Sequence, residues 1–476
     1  MIRLIGCACV LAALASCTSF LEEEPSTFIA PSAFYRTVDD FDGALKGLYV
    51  DGTEQNLNLA EVFADYNDKP ESAEQVGDIW ANNPGYGFYA IRQAWQYAYS
   101  TIKNANMILE QIEGKAFPQA TCDRIVGEAK FMRAYAYFTL VQLYGDVPLR
   151  TSVVTSAGDI PIGRSPQAEV YRLIFEDMLE AEAKLPAESP DMGRVNRFVA
   201  KAVLARMYLT SAGYPMQYTE NYAKARDKAV EVITDGGYTL MPSFDKVFKT
   251  ERYTAETIWA RLFDAPTVSS GMHKITAPVE SQTALCLPTD AFIASFEPGD
   301  YRKEWGIRPE YVNAKGTQVI KRSYFNKYIN EEYLEQELPA SNTSILPWQT
   351  QLVRLAEMYL IAAEAENEVN GPANAYRYIN EVRKRARTDK NDAAQVPDLA
   401  GLSKEEFREA VWQERRHELF TEGFAWYDMK RTQTFDRVQR ARGDRLNVPI
   451  GAYNNTWLIP DFEILNNKIE QNPEYR

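Results

Sequence analysis

The sequence has 476 residues, of which 45% are hydrophobic and 25% are charged, and its formal net charge is −14. This composition is typical of a globular protein that can bury a large core. A nucleic-acid-binding surface needs clustered lysine and arginine, so the acidic balance argues against nucleic acid as a partner.

Residues 1–16 have the pattern of a secretory signal peptide. Arg3 lies in a short basic segment, and an apolar run follows that is too short to span a bilayer permanently. The run ends in Leu-Ala-Ser-Cys at residues 14–17, the pattern of a bacterial lipobox, which predicts that Cys17 carries lipid and anchors the protein to a membrane. An ordinary signal peptide followed by a chance cysteine is the alternative. Residues 17–32 are predicted to form an extended tether.

Two further features limit the rest of the chain. No later stretch approaches 18 consecutive apolar residues, so we expect no transmembrane helix. Cys122 and Cys286 are the cysteines left beyond the signal peptide and Cys17. An exported protein can form a disulfide between them, but two cysteines do not make a disulfide framework, and two free, mostly buried thiols are the favoured interpretation.

The N-terminal part, residues 33–236, is predicted to be helical. After a break at 114–120, large apolar side chains at Phe131, Tyr135 and Phe138 follow helical spacing, and Gly145 supplies the residue that ends the helix. Helices are predicted at 34–50, 88–113, 128–144, 167–185, 195–212 and 222–234.

The C-terminal part, residues 348–476, is predicted to contain a second helical set, at 351–368, 373–386, 404–420 and 425–431. The hexamer LARMYL at 204–209 returns as LAEMYL at 355–360, and each begins a predicted helix–break–helix unit. Such units are typical of tetratricopeptide (TPR) hairpins, although their wide separation excludes a tandem array. The predicted fold class is therefore mainly α, with TPR-like hairpins as a scaffold in one body.

Residues 237–347 differ from both helical parts and are interpreted as an inserted, irregular, ligand-binding region with a few short strands. The segments 256–263 and 318–329 have strand-like composition. A second irregular stretch covers 51–87. Binding residues concentrate on irregular segments that a rigid scaffold positions, so these two regions are the expected ligand-binding surfaces.

Motifs for catalysis, cofactors and metals are mostly absent from the sequence. Its two histidines, His273 and His417, leave little room for His-based triads or His-rich metal sites. The segment beginning at His417 has Thr421 where a zinc protease needs its second histidine. There is no phosphate-binding loop and no GxSxG nucleophile motif. No cofactor and no metal are predicted, but a glycosidase-type pair among the 66 acidic residues stays open.

Several segments together carry a family resemblance. They are the lipobox, EAKFMRAYAYFTLVQLYGDVPL, LAEMYLIAAEAENE, YINEVRKRA, QERRHELFTEGFAWYDMKR and the closing LIPDFEILNNKIEQNPEYR. In this order they resemble the SusD/RagB family of nutrient-binding outer-membrane lipoproteins of Bacteroidetes, and the acidic residues 22–24 resemble the surface-export signal of such lipoproteins. Asn467 and Glu474 depart from the family, which often has proline and glycine there.

The resemblance implies a role as well as a fold. It implies a lipid-anchored protein at the cell surface that captures a glycan, or in some members a peptide. The ligand passes to a partner SusC/RagA-like TonB-dependent transporter in the outer membrane, without catalysis. Three alternatives stay open: a peptide-binding member of the same family, a TPR-like envelope scaffold, and an exported glycoside hydrolase.

Candidate ligand-binding residues follow from the chemistry of sugars. A pyranose ring offers an apolar C–H face that stacks on aromatic rings, while carboxylates and amides bind its hydroxyl groups. For each ring, burial in a small core of the inserted region is as strong an expectation as ligand contact. The candidates are Asp65, Tyr66, Asn67, Trp80, Asn82, Tyr86 and Trp305.

Overall fold

The computed structural model describes residues 34–50, 61–69, 79–83, 88–189, 191–248, 253–263, 276, 284–312, 319–328 and 349–475. The predicted signal peptide, the lipidated Cys17 and its tether, and Tyr86 lie outside these residues. No helix in these ranges is both long and apolar enough to cross a membrane.

Within the described residues, six helices of 11 residues or more make up the N-terminal half of the scaffold. They are α1 Val38–Leu48, α2 Phe88–Ile112, α3 Gln119–Tyr144, α4 Gln167–Lys184, α5 Arg197–Ala212 and α6 Asn221–Asp235. Helix α3 packs against both α2 and α4, so most of its faces are buried rather than one. Gly145, with φ of 76°, ends α3, which confirms the predicted stop.

The C-terminal half of the scaffold contains five helices of seven residues or more. They are α10 Leu355–Asn370, α11 Tyr376–Ala386, α12 Lys404–Leu419, α13 Ala425–Thr432 and α14 Asp436–Arg442. The short helix α15 Asp461–Asn466 follows them. Helix α10 packs against α11 and α12 of its own half and against α6 of the other half. The two halves therefore share one core, and the fold is mainly α with TPR-like hairpins, as predicted.

Short elements lie between the two halves. The helices are α7 Asp245–Phe248, α8 Asp290–Ala294 and α9 Tyr301–Gly306. The strands, together with one that precedes α2, are β1 Asn67–Asp68, β2 Thr257–Arg261, β3 Leu287–Pro288, β4 Ile307–Arg308, β5 Tyr311–Val312, β6 Val319–Ile320, β7 Tyr324–Phe325 and β8 Thr350–Arg354. Among the described residues they pair antiparallel as β1–β3, β2–β8, β4–β7 and β5–β6.

Three sequence-based expectations need correction here. Residues 351–354 were expected to begin a helix, but they belong to β8, which pairs with β2 so that Arg354 lies opposite Thr257. An apolar run has no periodicity that separates a buried strand from a buried helix, so only the partner strand decides. The single strand expected over 318–329 is two short strands with different partners, β6 and β7.

The third correction concerns the repeated hexamer. Leu355 is the first residue of α10, whereas Leu204 lies in the middle of α5. The two hexamers therefore occupy different positions in their helices and do not both begin a helical unit. Both are buried, which explains their similar apolar composition.

Two apolar cores are present. The main core is formed by the scaffold helices, and Trp259 of β2 reaches it by packing 5.2 Å from the rings of both Phe131 and Tyr135. The small core is formed by short elements and includes Tyr66, Trp80, Phe244, Phe292, Phe325 and Phe420. Cys122 and Cys286 are both free thiols, and Cys286 belongs to the small core.

Buried ion pairs connect the two cores. Arg354 contacts Glu256 at 2.9 Å and both Glu418 and Glu422 at 2.6 Å. Glu418 is fully buried, and although burial raises its pKa, the adjacent arginines, Arg385 among them, outweigh that effect and hold the pKa well below its usual range. Glu418 therefore stays charged, and Arg354 links Glu256 of the inserted region to Glu418 of α12.

Candidate functional site

A cavity of about 980 Å³ lies beside the small core, between α8, α12, α14 and the segments 61–69 and 321–323. This volume is within the range of cavities that bind small organic ligands. We call it the basic pocket, because its charged lining consists of Lys321, Arg322, Arg416, Arg437, Arg440 and Arg445 with Asp65, Asp68 and Asp290.

Helical spacing places the pocket side chains of α12. Gln413 and Arg416 are three residues apart, so they share a face, and both line the pocket. Glu414 and Glu418 are four residues apart on another face, where both contact the buried Arg302, at 2.5 Å and 3.2 Å. The same helix therefore supplies polar groups to the pocket and buried carboxylates to the ion-pair network.

The two aspartates of segment 61–69 are already paired within the pocket wall. Asp65 contacts Arg416 at 2.8 Å. Asp68 lies between Arg445 at 3.0 Å and Arg322 at 3.2 Å. Asp68 is therefore shared between two guanidinium groups.

A buried arginine holds the pocket wall in place. Arg442 of α14 is 2% exposed and donates hydrogen bonds to the backbone carbonyls of Phe63 at 3.1 Å and Ala64 at 2.7 Å, and to that of Trp80. Its guanidinium also lies 4.7 Å from the centre of the Trp80 ring. Burial lowers the pKa of Arg442 to about 9. This residue ties segment 61–69, which carries Asp65 and Asp68, to α14.

The predicted ligand-binding residues fall into different places. Asp65 lines the basic pocket. Tyr66 and Trp80 are each 1% exposed. The Tyr66 ring packs 4.9 Å from Phe292 and its hydroxyl donates to Glu61, while the Trp80 indole donates to the carbonyl of Asn67 at 2.9 Å. Both rings therefore pack in the small core, and sugar stacking on them stays a prediction.

The three remaining described candidates also make internal contacts. The side-chain amide of Asn67 donates to the carbonyl of Glu61, and that of Asn82 donates to the carbonyl of Val448 at 2.8 Å. Trp305 belongs to α9 rather than to a loop, and its ring stacks on Phe248 at 6.3 Å. None of these three lines the basic pocket.

The cationic side chains of the pocket were missed by the sequence-based prediction. The stretch 437–445 holds four arginines within nine residues, namely Arg437, Arg440, Arg442 and Arg445. In a chain with a net charge of −14, such a local concentration is a signal that could have been used. Within the described residues no group of three or more His, Cys, Asp and Glu is placed to hold a metal ion.

The fold is a helical scaffold with a pocket, and comparison with known families identifies the protein family that has it. Residues 19–209 match a family described as "Starch-binding associating with outer membrane", and residues 299–475 match the SusD family. The chain belongs to the SusD/RagB family. Members of this family are outer-membrane-associated binding proteins.

Individual relatives agree with this assignment. SusD-like protein P25 of Formosa agariphila is 27% identical over 488 residues, which covers 87% of each chain. A SusD superfamily protein of Parabacteroides distasonis has the same fold, with a TM-score of 0.81 at 24% identity over 92% of this chain and 99% of the other. A laminarin-binding SusD-like protein superposes with a TM-score of 0.75 at 22% identity, over 92% of this chain and 99% of that one.

Proposed function

We propose that this protein is a cell-surface lipoprotein that binds a glycan in the basic pocket and delivers it to a SusC/RagA-like TonB-dependent transporter. Family membership supports glycan binding as the general activity. The observation that carries the proposal for this chain is the pocket itself, whose volume of about 980 Å³ accommodates an oligosaccharide segment.

The lining of the pocket supports a ligand rich in hydroxyl groups. Thr289, Ser295, Ser323 and Gln413 line it beside the charged side chains. Hydroxyl and amide groups both donate and accept hydrogen bonds, as sugar hydroxyls do. Of the predicted ligand-binding residues that the structure describes, Asp65 lines this pocket, and we propose it as a contact.

The location and the partner are part of the same proposal. Lipid on Cys17 would hold the protein at the outer membrane, and the tether 17–32 would let the helical body reach a transporter there. Metabolic labelling with a fatty acid tests the anchor, because Cys17→Ser is expected to abolish the label. Co-purification of a transporter of this kind from the native membrane tests the partner.

A steric variant tests whether the pocket binds a glycan. Ala441 is exposed on α14 and lines the pocket, so Ala441→Trp narrows it without entering either core. Ala168 is exposed on α4 and does not line the pocket, which makes Ala168→Trp the matched control. In calorimetric titrations with a glycan panel, we expect binding to the parent and to Ala168→Trp but at least about tenfold weaker binding to Ala441→Trp.

Other outcomes would replace the proposal. Equal glycan affinity of the parent and Ala441→Trp would remove the pocket as the site. Release of reducing ends during incubation would favour the hydrolase. Binding of peptides but of no glycan would favour the peptide-binding alternative, and binding of neither would favour the envelope scaffold.

A further inference from the structure

We propose that the ligand of the basic pocket is an anionic glycan, one that carries carboxylate or sulfate groups. This inference rests on the proposed glycan-binding function and adds the chemical class of the ligand. It is argued from the charge of the lining, from the availability of the cationic groups and from the scarcity of aromatic rings in the described lining.

The first observation is the local charge. The chain has a net charge of −14, yet among the described residues that line the pocket six are cationic and three are anionic. Within this lining Asp65 pairs with Arg416, and Asp68 pairs with both Arg322 and Arg445. A cleft whose lining carries more of one sign of charge concentrates ligands of the opposite sign.

The second observation is that some cationic groups are available to a ligand. The side chain of Arg440 is 67% exposed, and its ion pair with Asp436 is an exposed pair within one helix. Exposed pairs of this kind contribute little free energy, so an incoming oxyanion can compete for the guanidinium. Lys321 is exposed and forms no ion pair with any described residue. Arg445 also lines the pocket, and its side chain is 51% exposed although it pairs with Asp68.

The donor chemistry fits carboxylate or sulfate groups. A guanidinium presents its N–H groups in a planar fork that matches two oxygens of one oxyanion. Neutral hydroxyl groups do not need such a fork. Arg440 of α14 presents such a group at the pocket, whereas Arg437, three residues away, is 17% exposed and pairs with Glu409 at 3.0 Å.

The third observation concerns aromatic rings. Among the described residues that line the pocket, Phe292 is the one aromatic side chain, and it is 2% exposed. A neutral sugar is held largely by stacking of its C–H face on an open ring. The described lining presents guanidinium groups and no open aromatic ring. It is therefore better suited to bind the charged groups of a glycan than the apolar face of a neutral sugar.

The test compares charged glycans with their uncharged forms. Oligogalacturonate and oligoalginate are titrated calorimetrically against the protein, each beside its carboxyl-reduced form. Chondroitin sulfate oligosaccharides are titrated beside a form that is both desulfated and carboxyl-reduced. We expect the acidic form to bind at least tenfold more tightly than the neutral form, and the difference to shrink as salt concentration rises. Which of the acidic ligands binds distinguishes carboxylate from sulfate recognition.

Variants connect this preference to the pocket. The double variant Lys321→Gln/Arg440→Gln is expected to bind the acidic glycan about tenfold more weakly, so that the acidic form loses its advantage over the neutral form. Arg172→Gln is the matched control, since Arg172 has the same side-chain exposure of 67% in an exposed pair with Glu176 and does not line the pocket. The control is expected to keep the affinity of the parent.

Several results would overturn the inference. A neutral glycan that binds as tightly as its acidic form would leave the proposed glycan binding intact but refute the ligand class. Unchanged affinity of the double variant for the acidic glycan would also refute it. Binding of poly-glutamate but of no glycan would assign the pocket to acidic peptides, and absence of binding to any glycan would refute the proposed function with it.

Discussion

The main core and the small core of this protein are built in different ways. In the main core, helices of 7 to 26 residues pack along their lengths, and small side chains such as Ala134 and Ala202 let neighbouring helices approach closely. In the small core, rings from elements of two to six residues meet, for example Phe292 of α8 and Phe325 of β7 at 6.2 Å. The basic pocket lies beside the small core.

The difference shows why the inserted region depends on buried charge. A long helix satisfies its own backbone groups and needs only an apolar face to pack. Short elements satisfy few of their own polar groups, and here side chains supply the missing partners. Lys327 is buried over the ring of Phe420 at 3.9 Å and donates to the backbone carbonyl of Glu418 at 3.0 Å. The first prediction therefore concerns this buried charge.

Removing Arg354 is expected to have the largest effect. Arg354→Met leaves Glu256, Glu418 and Glu422 buried without their shared cation, which is expected to lower the free energy of unfolding by about 3–5 kcal/mol. Urea denaturation followed by circular dichroism measures it. The matched control Arg172→Met breaks an exposed pair and is expected to cost no more than about 1 kcal/mol. Equal costs would contradict the role of buried charge.

Truncating a side chain of the main core is expected to have the next largest effect. Leu204→Ala leaves a cavity in α5, where Leu204 is fully buried, and is expected to cost about 3 kcal/mol. Leu179→Ala on α4 is the control, because Leu179 is 44% exposed and should cost less than about 1 kcal/mol. Thermal melting of both variants measures the difference. A small loss for Leu204→Ala would mean that the main core rearranges to fill the space.

The stability of the protein is expected to depend on pH through the protonation of Glu61 in the small core. Burial raises the pKa of Glu61 from its ordinary value of 4.5 to about 7, and its carboxylate accepts hydrogen bonds from the Tyr66 hydroxyl and the Gly423 amide. A raised pKa means that the folded protein holds the proton longer than the unfolded chain. The stabilisation by protonated Glu61 is therefore complete below about pH 4.5 and is lost as pH rises to 7. Lys327 and Glu422 are the charged groups that act on Glu61 in the same region.

The Glu61→Gln variant tests this pH dependence. Its free energy of unfolding, relative to that of the parent, is expected to rise by about 2–3 kcal/mol between pH 4.5 and pH 7. Urea denaturation at several pH values measures the change. A difference between the two proteins that does not vary with pH would contradict the raised pKa.

Two glycine variants of the scaffold are expected to have the smallest effects, with opposite signs. Gly145 has φ of 76°, so Gly145→Ala is expected to cost about 1 kcal/mol through backbone strain. Gly43 lies inside α1, and an added Cβ there would meet nothing within 4 Å. Gly43→Ala is therefore expected to stabilise the protein by about 0.5–1 kcal/mol. Differential scanning calorimetry of both variants measures the two changes in stability. A change of the same sign in both would contradict the backbone conformations described for Gly145 and Gly43.

Local signals made most of the scaffold predictable. The helix expected at 404–420 is found at Lys404–Leu419, because Ser403 and Glu406 form a capping box and apolar residues recur at helical spacing. The helix expected at 167–185 is found at Gln167–Lys184. Prediction was wrong at 351–354, where β8 forms because β2 lies beside it. The β2 residues that pair with β8 lie about 95 residues earlier in the chain, so local periodicity does not indicate them.

The candidate site was predictable only in part. Asp65 was selected because it lies in an irregular segment, and it does line the basic pocket. The reasoning that selected Tyr66 and Trp80 from the same region could not determine which way their rings point, and both are buried. Three of the guanidinium groups in the lining, those of Arg416, Arg437 and Arg440, come from α12 and α14. The sequence-based prediction named none of them, because helical spacing does not indicate which surface a polar face meets.

The sequence by itself determined most of the long scaffold helices and the family resemblance, because capping, glycine stops and apolar spacing act within a few residues of the chain. Tertiary structure alone decided that Asp65 meets Arg416 and that Asp68 meets Arg322 and Arg445. These contacts join residues more than 250 positions apart, and the short segments that carry Asp65, Asp68 and Arg322 do not fix the directions of their own side chains. Packing around the small core sets those directions, and it thereby places a cationic pocket on an acidic protein.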